Sequence, residues 1–244
     1  MTLLAILDTE TTGVNPERGD MVVQFASLIV DLHDGVEYVF NENVNPMRLI
    51  PAEATQCHGI TDEMVAECRT FDRVLKEYLD DIQKLGGGRD LILCGHNIQF
   101  DLRFLRRVAS LPPHLGVICT LQLARSTWPK ISSHKLSDVY RRVMGGKAIH
   151  HVNAHDALAD CLMCWSILEV AKSGSTGMED YLRQLIHKQR QPVRIEIMPF
   201  GKYKGVQMDL IDLDYFRWAL NNMENLDRDL RHSMIMEVKE RGGR

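Results

Sequence analysis

Leu3-Leu4-Ala5-Ile6-Leu7-Asp8-Thr9-Glu10-Thr11-Thr12-Gly13 is the stretch that decides the fold. Five successive apolar residues followed by turn-forming ones read as a buried strand. A strand has a side-chain period of two, so Asp8 and Glu10 at its end face the same side. A carboxylate pair beside so apolar a run is costly unless a cation neutralises it, and hard divalent cations take oxygen ligands well. Two solvated loop acids are the plainer alternative, and the apolar residues directly before Asp8 speak against it.

Working outward, Met21–Val30 and Val36–Phe40 continue the strand signal, with Asp34-Gly35 as the turn between them. Phe71, Val74, Leu75, Tyr78, Leu79 and Ile82 recur at helical spacing, and the pattern stops at Gly86-Gly87-Gly88. Leu91–Cys94 and Gly116–Cys119 read as further strands. Phe100–Val108, Leu121–Arg125, Lys135–Met144 and Asp156–Ala171 read as helices. Three strands followed by alternating helices and strands predict an α/β sandwich on a mixed sheet that begins antiparallel. Lys172-Ser-Gly-Ser-Thr-Gly177 is a linker candidate. Beyond it, a helix over Met178–Lys188, a strand over Arg194–Met198, a turn at Phe200–Gly205 and helices near Asp212–Asn222 and Asp227–Arg241 predict a small α+β appendage. The expected division is 1–172, a linker at 173–177, and a C-terminal domain at 178–244.

The 244 residues are 45% hydrophobic and 25% charged, an ordinary globular composition. Leu3–Leu7 lacks a basic lead-in and stops at Asp8, so no signal peptide is expected. No apolar run approaches the length of a membrane span. Six scattered cysteines do not make a disulfide scaffold, and a reducing cytoplasm suits them best. Charge is uneven: residues 1–100 hold 7 basic and 17 acidic side chains, whereas residues 101–147 hold 9 and 2. An acidic half beside a basic half suits cation binding by one and polyanion binding by the other, although solvated helix faces would give the same counts.

Two more segments carry chemistry. His96-Asn97-Ile98-Gln99-Phe100-Asp101 leaves a strand and enters a helix, where a carboxylate alone would be read as a cap. His151-Val-Asn-Ala-His155-Asp156-Ala-Leu-Ala-Asp160 leads into an apolar helix. Its spacing fits His155 with Asp160 and His151 with Asp156 equally, and Asp156 and Asp160 share a helix face, so both could approach a metal. Phe100 fits a core position or a substrate neighbour. Arg103 and Arg107 share a helix face, suited to a phosphate backbone or to solvent. Lys202-Tyr203-Lys204 fits a strand-tracking surface or a hairpin with Tyr203 packed inward.

Taken in order, Asp8-x-Glu10, His96-Asn-x-x-Phe-Asp101 and His155-x-Ala-x-x-Asp160 resemble the three motifs of the DEDDh 3′–5′ exonuclease superfamily. The likeness covers roughly residues 3–172, and Ala157, two after His155, fits that register. Gln56-Cys-His58-Gly59-Ile60-Thr61 resembles the family's His-Gly-Ile-Thr segment. Cys119, Trp128 and the tail around Phe200–Gly205 are similar to the exonuclease X group within it. The resemblance implies a ribonuclease H-like mixed β-sheet flanked by helices, with the small α+β appendage behind it. It implies that Asp8, Glu10, Asp101 and Asp160 coordinate two Mg²⁺ ions roughly 3.5–4 Å apart, with Mn²⁺ able to substitute. His155 would accept the proton of the attacking water, and nucleoside 5′-monophosphates would leave. Thr11 and Thr12 would border the terminal sugar, His58 and Ile60 the last base, with Phe100 near. The expected partners are single-stranded DNA or the 3′ ends of DNA. An RNA exonuclease of the ribonuclease T or oligoribonuclease kind is the alternative, and a silent nucleic-acid-binding module would show a broken ligand set. Cys161-Leu-Met-Cys164 lacks a second fitting pair for zinc, and the glycine run lacks the lysine of a phosphate loop.

Overall fold

In the computed structural model, which describes residues 2–111, 116–145, 156–172, 174, 176–223 and 226–242, the first strand is longer than its apolar run. β1 spans Thr2–Thr11, so Asp8 and Glu10 lie within it. It extends because Asp8, Thr9 and Glu10 pair with Ala26, Phe25 and Gln24 of the antiparallel β2, Val22–Asp31. β3, Gly35–Asn43, continues the hairpin after Gly35 at φ 102. β4, Asp90–Gly95, and β5, Gly116–Cys119, join in parallel on the other side. The mixed sheet therefore runs β3-β2-β1-β4-β5.

Helices cover both faces of β1, which explains why its start is apolar without alternation. Leu3, Ala5 and Leu7 pack with Phe25, Ile29 and the buried faces of α3, Phe71–Gly86, and α4, Gln99–Val108. Leu4 and Ile6 pack on the opposite face. There they meet residues of α5, Thr120–Thr127, α6, Leu136–Met144, and α7, Ala157–Ala171. Leu182 and Leu185 of α8, Met178–Lys188, join this same cluster. After α8, Gln189 donates to the Cys119 carbonyl at 2.9 Å and accepts from its amide at 2.8 Å, covering part of the sheet's edge.

Two short helices, α1 at Ala52–His58 and α2 at Asp62–Val65, precede α3 and have no counterpart in the sequence reading. The C-terminal residues form a separate core around Met198, Met208, Phe216, Leu230 and Met234. It lies with α9, Leu213–Asn222, and α10, Arg228–Arg241, whose N-caps are Asp212 and Asp227. The strand expected at Arg194–Met198 is corrected to a single antiparallel bridge, Ile197 to Gln207. Residues 205–208 do return beside it, with the Met198 amide donating to the Val206 carbonyl, the Gly205 amide to the Met198 carbonyl and the Met208 amide to the Glu196 carbonyl, each at 2.8 Å, but the pairing is confined to this one short return. Of the expected linker, residues 173 and 175 lie outside the described residues.

Candidate active site

The pleat of β1 distributes its polar residues between two helices. Asp8 and Glu10 fall on the same side as Leu4 and Ile6, toward α7, while Thr9 falls on the α4 side with Leu7. Asp160, in the first turn of α7, meets the first pair: carboxylate oxygens of Asp8, Glu10 and Asp160 all lie within 4.8 Å of one another. Asp101, in the first turn of α4 and 2% exposed, is held from the other face. Its Oδ1 accepts from the Thr9 amide at 3.0 Å and the Thr9 hydroxyl at 2.7 Å. Four acids from three separate elements thus gather at the carboxyl end of β1.

Their proximity shows in their acidities. Burial, then the charges of Asp101, Asp160 and Glu10, holds the Asp8 carboxyl well above its ordinary range. Glu10 is pushed up to about 8, by burial first and by Asp160 and Asp101 next. Asp101 rises to about 7 from burial, against the lowering effect of its bonds from Thr9. So much unionised or strained carboxylate calls for a cation. A donor set of oxygens alone suits a hard divalent ion such as Mg²⁺ or Mn²⁺.

The structure also separates the two acids that the sequence left equivalent. Asp156 is the N-cap of α7, its Oδ1 accepting from the amides of Leu158 and Ala159 at 3.1 Å each. Asp160 is the one that enters the acidic cluster. Gln24 of β2 anchors the same helix start by accepting from the Ala157 amide at 3.1 Å. His155 and His151 lie outside the described residues.

The β4–α4 turn needs two unusual backbones. Gly95 passes so close to β1 that a Cβ there would stand 2.8 Å from the Leu7 carbonyl oxygen. Asn97 adopts φ 61, a left-handed conformation that asparagine tolerates. Between them, His96 Nε2 donates to the His134 carbonyl at 2.9 Å, and Nδ1 faces the Thr120 hydroxyl at 3.0 Å. His96 therefore locks the turn that delivers Asp101, a role its place in the motif did not disclose.

The expected substrate neighbours divide. The Thr11 hydroxyl donates to the Gly13 carbonyl at 2.6 Å, and the buried Thr12 hydroxyl accepts from the Met21 amide at 3.0 Å, closing the loop after β1. His58 ends α1, its Nδ1 accepting from the Ile60 amide at 3.0 Å. Ile60 is 4% exposed and packs with Val23, Ile50 and Val65. Phe100 is half-buried, 5.2 Å from the Phe104 ring, with the Arg103 guanidinium 5.9 Å from its centroid. With Asn97 and Arg103 it lines a cleft of about 950 Å³ that is also lined by Arg125, Arg190 and Arg228 and by the acids Asp227 and Asp229.

A ribonuclease H-like mixed sheet with four acids at the end of its central strand defines the class, nucleases of the DEDDh type. The sequence model of the exonuclease family RNase_T matches residues 5–168, and the chain belongs to that family. Exodeoxyribonuclease 10 of Escherichia coli (strain K12) is 29% identical over 233 residues, spanning 94% of this chain and 96% of that protein. A solved structure of exonuclease X in complex with 5′ overhanging duplex DNA is 26% identical, with a TM-score of 0.50 over 73% of this chain and 99% of that one. The nuclease domain of 3′hExo, a DEDDh family member bound to rAMP, shares the fold with a TM-score of 0.57 at 22% identity, over 69% of this chain and 90% of that one. Exonucleases of this type depend on divalent metal, and the acidic cluster is the site that suits it. Among the described residues no helix is long and apolar enough to cross a membrane.

Proposed function

We propose that this chain is a metal-dependent 3′–5′ exodeoxyribonuclease that removes nucleoside 5′-monophosphates one at a time from DNA ends. The observation that carries the reading is the convergence of Asp8, Glu10 and Asp160 within 4.8 Å, with Asp101 presented beside them by Thr9. These four acids would hold two divalent ions, Mg²⁺ by preference. Bound there, the ions would cancel the four negative charges, allow a phosphodiester to approach, and make water more acidic.

The chain's own groups do the rest. His155, directly before the cap of α7, takes the proton of the water that attacks the last phosphorus as the 3′ oxygen departs. Thr11, Thr12, His58, Ile60 and Phe100 shape the pocket for the terminal nucleotide, Ile60 and Thr12 from behind it because both are buried. The arginine-lined cleft takes the strand's phosphates, where Arg18, Arg103, Arg190 and Arg228 offset the backbone charge. Similarity to Exodeoxyribonuclease 10 along nearly the whole of both chains supports deoxyribonucleotides as substrate.

Incubation with 3′- and 5′-labelled DNA and RNA strands, with Mg²⁺ or with chelator, tests the reading. The expected result is mononucleotide release from the 3′ end of DNA only when metal is present. Release from the 5′ end, cleavage in chelator, or a preference for RNA would overturn it.

A further inference from the structure

The C-terminal core carries a second concavity, of about 630 Å³, walled by Phe200, Lys202, Tyr203, Tyr215, Trp218 and Met223. None of these residues lines the cleft that holds Phe100 and Arg103. Trp218 is 53% exposed, an unusual position for so large an apolar ring. Its neighbours form a graded stack: Trp218 to Tyr215 is 5.9 Å at 31°, and Tyr215 to Tyr203 is 4.8 Å at 72°. Lys202 Nζ stands 4.7 Å from the Tyr203 centroid and 5.3 Å from that of Tyr215. Gly201 makes this possible. Its φ of 70 turns the chain in the left-handed conformation that glycine adopts without strain.

Charge decides what the concavity suits. Among the described residues neither Lys202 nor Lys204 pairs with an acid. Asp212 and Asp214 also line the concavity; Asp214 is ion-paired with Arg217 at 2.8 Å, and Asp212 caps α9 by accepting from the Asp214 amide at 2.8 Å. An open indole face beside the Lys202 ammonium, which no carboxylate contacts among the described residues, complements a ligand that is planar and anionic together. We propose that this concavity is a second, non-catalytic site for single-stranded nucleic acid, with a base stacked on Trp218 and its phosphate on Lys202. The proposal rests on the exonuclease reading for the class of strand available to it. A proline-rich peptide would also lie on aromatic rings, but would leave the lysines without a counter-charge.

The test uses the full chain carrying Asp8→Asn, so that strands bind without being cut, with a long fluorescein-labelled oligothymidylate. Trp218→Ala and Lys202→Glu should each weaken binding about tenfold, the scale of one base stacked on an aromatic ring, and Trp218→Phe should restore most of it. Quenching of tryptophan emission by the oligonucleotide should disappear with Trp218→Ala. With Asp8 intact, hydrolysis of a dinucleotide should be unchanged by either substitution. Unaltered affinity in both variants would overturn the site, as would equal loss on dinucleotide and long strand, or quenching by a proline-rich peptide in place of the oligonucleotide. If the unsubstituted chain cuts no strand, the catalytic reading falls while the binding measurements still decide this one.

Discussion

Glu10, raised to about 8, and Asp101, raised to about 7, each bind a proton more tightly in the folded chain than an ordinary carboxyl does in the unfolded one. With metal removed, the folded state therefore binds more protons between the unfolded and folded values. Stability should fall as pH rises through that window, from about 4.5 to 8. Thermal melting in chelator across this range should show the decline, and Mg²⁺ or Mn²⁺ should flatten it. Asp8→Asn removes one charge from the cluster. It should raise the melting temperature in chelator, shrink the gain from added metal, and lower turnover by more than roughly a hundredfold. A variant as active as the parent would remove Asp8 from the metal set. His155→Ala should lower kcat by about a hundredfold or more with little change in melting temperature, whereas His151→Ala should leave it near the parent value. The reverse order would transfer the base to His151.

At the scale of elements, α7 is set by its cap. Asp156→Ala should cost about 1 kcal/mol of stability and Asp156→Ser much less, because serine also accepts from the first-turn amides. Chemical denaturation of the three chains gives the comparison directly. The turn after β4 depends on His96, whose pKa burial pushes down to about 4. A base held neutral in the fold loses its contribution as pH drops, so with metal present the chain should weaken between about 6.5 and 4. His96→Gln should lack that acid-side loss.

What the sequence made legible at this scale follows from where its apolar residues fall. β1 and β2 show as near-continuous apolar runs because both of their faces are covered, and α3 and α8 repeat their apolar residues at helical spacing. α1 buries none of its residues and α2 only Val65, so neither casts a stripe to read. Arg194–Met198 misled because its apolar residues look alike whether the returning segment pairs along a full ladder or, as here, across a single bridge. Asp156 and Asp160 could not be told apart by spacing, since only the arrival of β1 distinguishes the cap from the cluster.

Over the whole molecule, α5 and the start of α10 are joined by a buried ionic knot. Arg125 reaches Asp227 at 2.9 Å and Asp229 at 2.9 Å, and Asp229 also accepts from Gln122 at 3.2 Å and from the Val193 amide at 2.9 Å. Gln122 and Arg125 stand about a hundred residues from these acids in sequence, which hid the knot from any local pattern. Arg125→Met leaves Asp229 buried without its counter-ion and should destabilise the chain by about 3 kcal/mol. Urea denaturation measures the loss, and the double variant with Asp229→Asn should recover part of it.

The alternation along β1 sets a limit on how this gene can vary. Deleting one codon between Leu3 and Leu7 would rotate every later side chain of the strand by half a turn, handing Thr9 to α7 and both acids to α4. Length changes in the loop from Gly13 to Asp20 carry no such penalty, because nothing downstream inherits their phase. Natural length variation should therefore gather in that loop and avoid the strand's first half altogether.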